Sequence, residues 1–233
     1  MRSRILLLLV FAYVSGSLVG CAKAPILMTS ENRSLLQSPP FYSAHGPLPK
    51  LYYASRGEQT TGFLGGFLFG LLFLPVAMAM DGSHDDLVEL YRLENPSLTI
   101  EQDLARRLAK EYDLKDIRPN EVGGSWSDPE DLKRRFSQGL ILEVRTDQWG
   151  LEPSSWSQFH VVLKSSARLV SVQDAKEIWY DTCSFKKIDG ERDPKMEDIK
   201  AKDGELLKIM MKEATETCMA ELWQKLHVVA IPK

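Results

Sequence analysis

The sequence is poor in the residue types that carry chemistry. Four histidines and three cysteines are spread over 233 residues, and His45, His84, His160 and His227 lie far apart. No HExxH, CxxC or paired-histidine spacing occurs, so neither a zinc site nor a dithiol centre is predicted. His84-Asp85-Asp86 reads as a solvated helix start rather than a cation site. The chain lacks the GxxxxGK and GxGxxG loops that cradle phosphates between a strand and a helix. It also lacks the GxSxG turn of a serine hydrolase. No cofactor and no catalytic set follow, and a non-enzymatic protein is expected. Excess positive charge is missing too. Lys and Arg number 29 against 32 Asp and Glu, for a net charge of −3, so the electrostatic term that drives nucleic-acid binding is absent.

What is present begins at the N-terminus. A hydrophobic content of 44% with 26% charged residues suits a folded chain, and the length allows one domain or one with an appendage. Met1-Arg2-Ser3-Arg4 precedes the apolar run ILLLLVFAYV and then SGSLVGC. A basic start, a short apolar core and small residues before a cut site are the parts of an export signal. The core is shorter than the roughly 20 residues that span a bilayer. Leu18-Val19-Gly20-Cys21 resembles the bacterial lipobox. That resemblance implies removal of residues 1–20 and acylation of Cys21, with several acyl chains giving stable anchorage. Ala22 and Lys23 follow where enterobacterial lipoproteins kept at the inner membrane carry aspartate. The resemblance therefore implies an outer-membrane lipid anchor facing the periplasm.

Residues 21–59 read as a tether, because Pro25, Pro39, Pro40, Pro47 and Pro49 remove backbone donors and oppose helix. A strand around Tyr52 and Tyr53, paired onto the domain edge, is the alternative for residues 50–55. Residues 60–80, TTGFLGGFLFGLLFLPVAMAM, carry no charge. Gly62, Gly66 and Gly70 fall at i, i+4 and i+8, a spacing that lets helices approach closely. In water each glycine weakens a helix by about 1 kcal/mol against alanine, so lipid or packing has to support it. The segment is read as lying in the membrane, as packed against protein, or as a full span. Pro75 and the N-terminal anchor disfavour the last.

Residues 84–233 read as the periplasmic domain. Thr99 and Gln102 form a capping-box pattern ahead of Ile100, Leu104, Leu108 and Tyr112, predicting a helix over 100–113. A shorter helix is predicted over 85–93, and 115–137 reads as a polar stretch. Alternation predicts a strand carrying Leu140, Leu142, Val144 and Thr146, with Glu143 and Arg145 as an exposed pair. Strands over 158–172 and 177–186 would form a hairpin. Leu207, Met211, Ala214, Cys218, Leu222 and Leu226 make one stripe on a helix of about 23 residues. The expected fold is α+β, an antiparallel sheet of three to four strands covered by two helices.

Cys183 shares a strand face with Trp179 and Phe185, and Cys218 lies on the helical stripe. An exported protein meets an oxidising compartment, so a Cys183–Cys218 disulfide is predicted, stabilising by roughly 3–4 kcal/mol. Trp149 and Trp156 are candidate partner contacts, or caps on the sheet end. The segment FHVVLKSSARLVSVQDAKEIWYDTC and the closing amphipathic helix resemble the curli-secretion and penicillin-binding-protein-activator lipoprotein families. That resemblance implies action through protein partners or oligomers and transfers no functional residue. Two readings follow. One is an accessory protein, membrane-bound through its acyl chains, that binds an envelope protein. The other is a self-associating component of a transport or export assembly built on the glycine zipper.

Overall fold

The computed structural model describes residues 23–37, 40–53, 85–114, 117–121, 126–155 and 157–228. Signal, lipobox and glycine zipper lie outside them, and with them Cys21, Gly62, Gly66 and Gly70. In chain order the elements are α1 (Ser30–Ser34), β1 (Phe41–His45), β2 (Tyr52–Tyr53), α2 (Asp85–Tyr91) and α3 (Pro96–Tyr112). They continue with β3 (Ile117–Glu121), α4 (Pro129–Phe136), β4 (Leu140–Pro153), β5 (Phe159–Ser171), β6 (Lys176–Lys186) and α5 (Met196–His227). The sheet has six strands in the order β3-β1-β4-β5-β6, with β2 also on β4.

The sheet is mixed, which corrects the antiparallel three-to-four-strand expectation and its two helices. β1 runs parallel to both β3 and β4, and β2 runs parallel to β4, while β4-β5-β6 are antiparallel. Parallel neighbours need crossover connections. The segments carrying α2 and α3 connect β1 to β3, and α4 connects β3 to β4.

The correction starts in the proline-rich stretch. Phe41-Tyr42-Ser43-Ala44-His45 is proline-free, and instead of a spacer it forms a strand between β3 and β4. The prolines punctuate its ends. The Pro40 carbonyl accepts from Leu140 N (3.1 Å), and the chain leaves the β4 ladder at Pro47 after Gly46 N donates to the Val144 carbonyl (2.8 Å). It rejoins β4 at Tyr52–Tyr53 opposite Gly150 and Leu151. Gly150 has φ +153°, and a Cβ there would lie 1.8 Å from the Tyr52 carbonyl oxygen, so no other residue fits. The polar stretch 115–137 holds β3, an outer strand that tolerates Pro119, and α4. Asp128 caps α4, accepting from Glu130 N (2.8 Å), with Pro129 opening the helix.

α3 begins earlier than the capping-box reading. Asn95 is its N-cap, accepting from Ser97 N (3.0 Å) with Pro96 in the first turn, and Thr99 Oγ1 donates back to the Asn95 carbonyl. Asn-Pro is the stronger start because it supplies cap and fixed φ together. α5 is interrupted by non-helical backbone from Ala201 to Gly204. Gly204 has φ +68°, and its missing Cβ makes room for the Tyr91 ring of α2, which would be 2.5 Å away. The apolar stripe from Leu207 to Leu226 lies wholly beyond this break.

The helices divide between the faces. α3 and α5 cover the inner face, on Leu142, Val144, Trp149, Leu163, Ala167, Leu169 and Trp179, in one continuous core. A Cys183–Cys218 disulfide joins β6 to α5 within it, with Cα atoms 5.4 Å apart. α4 packs on one end of the outer face, where Leu132 meets Ile141, Val170 and Val172.

Candidate functional site

Three places on this frame gather polar or partly exposed groups. The first is a groove of about 400 Å³ between the start of α3 and α5. Met211, Thr215 and Met219, spaced i, i+4 and i+8, give one wall, and Leu93 and Pro96 give the other. Eight helical residues advance about 12 Å, so the wall runs for two turns. Lys208, Lys212, Glu94 and Glu216 form a rim of both signs. Leu90 on α2 and Ile209 on α5 are more than half exposed, at 60% and 56%. Methionine side chains are flexible and polarisable, which suits a surface that adapts to a partner.

The second is the middle of the outer sheet face. Glu143 is wholly buried, and Arg168 Nε donates to its Oε2 (2.6 Å). This corrects the expectation of an exposed Glu143–Arg145 pair: the cross-strand neighbour Arg168, set opposite Glu143 by the β4–β5 register, is the partner. A guanidinium nitrogen of Arg168 also donates to the Ser127 carbonyl. The half-buried Trp126 ring has the guanidinium groups of Arg168 (4.7 Å) and Arg145 (5.2 Å) against it and meets Tyr180 edge-on at 6.4 Å. Glu177 pairs with Lys23, whose ammonium sits 4.1 Å from the Tyr180 ring centroid. The chain then reaches β6, where Ile26 and Tyr180 exchange backbone hydrogen bonds of 2.8 and 3.0 Å. The first described residues are thus fixed to the sheet.

The third is a set of buried titratable groups. Glu101 on α3 is buried beside Ser43, with His45 Nδ1 4.0 Å away. Burial pushes its carboxyl above the ordinary range, although the Ser43 hydrogen bond and His45 oppose this. Ser97 Oγ donates to Thr146 Oγ1 (2.9 Å), which lies 3.2 Å from Ser165 Oγ, so this polar patch is internally satisfied. His160 is 2% exposed and neither ring nitrogen has a hydrogen-bond partner. Its Nε2 stops 3.6 Å from Glu152 Oε2. Burial, and then the Lys186 charge, hold it below the ordinary histidine range, outweighing Glu152 and Asp193. Among the described residues no group of His, Cys, Asp and Glu is placed to hold a metal ion.

The predicted site residues separate. Cys183 and Cys218 come together. Trp149 is buried at 1% exposure, with Nε1 donating to the Pro49 carbonyl (2.8 Å), so it anchors the β1–β2 connection and is no partner contact. Trp156 lies outside the described residues. Met211 is visible as part of the α5 stripe, but its groove is not, because the facing wall comes from the turn after α2. Trp126 had no signal, lying in a stretch without periodicity.

No family model matches the chain, and no curated protein matches it. Solved structures with some likeness include lipoprotein GNA1162 from Neisseria meningitidis, 16% identical, covering 78% of this chain and 99% of that one, with a TM-score of 0.29. The PelC dodecamer from Paraburkholderia phytofirmans is 11% identical over 79% and 86%, with a TM-score of 0.35. The hypothetical protein CT253 from Chlamydia trachomatis is 6% identical over 80% and 97%, with a TM-score of 0.34. Likeness at that level carries no argument about what this chain does. Among the described residues no helix is long and apolar enough to cross a membrane.

Proposed function

We propose that this chain is a lipid-anchored accessory protein of the bacterial envelope, held at the outer membrane through Cys21 and facing the periplasm. It acts without catalysis, by binding an envelope protein. The groove between the start of α3 and α5 carries the reading. It offers an apolar wall of two helical turns and a rim of both charges. Two helices presenting such a wall accept a third, so the partner element is an amphipathic helix. The lipobox at residues 18–21 supports the anchor. The second reading, assembly through Gly62, Gly66 and Gly70, rests on their spacing in a charge-free run.

Site-specific photocrosslinking in the living cell tests both. A benzophenone side chain at position 212 or 216, both exposed on the groove rim, should yield an adduct with a different envelope protein, and one at position 164 on the opposite sheet face should not. Met219→Glu should abolish the adduct, with circular dichroism showing that the domain still folds. An adduct of twice the chain mass that Gly66→Leu removes would establish the assembly reading instead. Absence of adducts at both positions would overturn partner binding. The mass of the N-terminal peptide reports acylation of Cys21 separately.

A further inference from the structure

We infer that His160 is the trigger of an acid-opened flap, residues 187–200, which parts from the end of the sheet when the ring takes a proton while the rest of the domain stays folded. The flap works whether or not the groove binds a partner. On β5 the His160 side chain alternates with Phe159 and Val161 of the inner core, so it belongs to the outer face. It is 2% exposed, and Nδ1 and Nε2 are both buried without a hydrogen-bond partner. Charged groups face it from three sides. Glu152 lies opposite on β4, with Oε2 3.6 Å from Nε2. Lys186, at the end of β6, holds that same Oε2 at 2.7 Å. Asp193, in the stretch that leads into α5, is buried, and its Oδ2 has no hydrogen-bond partner either. A proton on this ring meets a carboxylate already engaged by an ammonium. Water is then the remaining way to solvate the charge, because a buried ion without hydrogen bonds is costly.

Water enters where the chain is least tied down. Lys187, Ile188, Asp189 and Arg192, which follow β6, are exposed. Phe159 N donates to the Pro194 carbonyl (2.9 Å), Gln158 bridges Lys195, and Lys187 pairs with Glu213 at the surface. An exposed ion pair of that kind contributes at most about 1 kcal/mol. Ile199 is the buried apolar anchor of the flap. Beyond it the non-helical backbone from Ala201 to Gly204 separates the first turns of α5 from the stripe that begins at Leu207. The flap therefore lifts without pulling on Cys218 and its disulfide. Segments with few buried contacts open at lower free energy than the core. Burial and the Lys186 charge disfavour the charged ring in the closed form, so the open form takes the proton first and opening grows as the pH falls below 6.5.

Native-state hydrogen exchange on the full chain reads flap and frame separately. The Phe159 amide reports the flap through its bond to Pro194, and the Ile199 amide through its bond to the Lys195 carbonyl (3.0 Å). Gly46 and Leu140, bonded to the Val144 and Pro40 carbonyls, report the frame. After correction for intrinsic rates, moving from pH 7 to pH 5 should raise the opening constant at Phe159 and Ile199 about tenfold more than at Gly46 and Leu140, the effect of one pKa unit between closed and open ring. His160→Gln, neutral at every pH, should abolish that excess. The nuclear magnetic resonance titration of the wild-type His160 ring should follow the same pH course as the opening, which decides the matter even if the variant fails to fold. An equal change at all four amides would overturn the proposal, leaving His160 a determinant of global stability alone. So would an excess that persists in His160→Gln, or one that follows the titration of His45 or His227 instead.

Discussion

The two faces of this sheet are held by different means. The inner face is stabilised by apolar burial under α3 and α5 and by a disulfide tying the last strand to the last helix. The middle of the outer face is polar, and there a buried glutamate is paired with one arginine, against which a half-buried tryptophan lies. Burial without polar atoms is forgiving of small losses, because each contact is one among many. A buried charge is not forgiving, because removing its partner leaves the whole desolvation cost in place. The contrast predicts that damage to the inner face scales with the volume lost, whereas damage to the outer face depends on which partner is removed.

Trp149→Ala should cost about 3–5 kcal/mol in denaturant unfolding, since it empties the largest class of buried side chain and frees the Pro49 carbonyl. A variant of normal stability that lost only partner binding would break the contrast at its strongest point. On the outer face Arg168→Met should cost a similar amount, about 3–5 kcal/mol, by leaving Glu143 buried and unpaired. The double change Glu143→Leu with Arg168→Met should recover most of that loss, and failure to recover would show the pair itself to be stabilising. Cys183→Ala with Cys218→Ala should cost roughly 3–4 kcal/mol in the chain-entropy account. Wild-type protein under reductant should lose the same amount.

The smallest effect is one of pH. His160 is held below its ordinary value of 6.5, chiefly by burial. Below pH 6.5 the unfolded chain therefore takes a proton that the native one refuses, and stability falls as the pH falls through that window. The melting temperature should decline from pH 7 to pH 5, and His160→Gln should lessen the decline. Glu101 has the opposite sign. Its raised pKa means the native carboxyl keeps its proton longer, so its contribution weakens as the pH rises above 4.5.

Legibility in the sequence followed the range of the interaction. β4, β5, β6 and the α5 stripe were readable because a period of two or of 3.6 is a local signal. The Cys183–Cys218 pairing followed from those two periods together. The parallel strands were not readable in the same way. Phe41 lies between Ile117 and Leu140 in the sheet, and no short turn marks either pairing. Prolines on both sides of β1 masked it as a spacer, although its own five residues hold none. β3, Ile117-Arg118-Pro119-Asn120-Glu121, shows no apolar alternation at all. α4 was within reach, because Asp128-Pro129 is a helix start and Leu132 and Phe136 share a face. Of the candidate sites, the groove needs the break at Gly204 and the seat it makes for Tyr91. The outer face needs the β4–β5 register.

The place of β1 has a consequence in time. A chain that is made and delivered from its N-terminus produces Phe41–His45 before both strands that will flank it. Through the arrival of all residues up to Leu140 that strand has neither full complement of neighbours, and its backbone donors and acceptors stay unmet. Closing such distant pairings is slow, because the loop must be ordered before the contacts reward it. This inner strand, one in from the sheet's β3 edge, is therefore the part that waits longest, and whatever guards the newly delivered chain has to guard it.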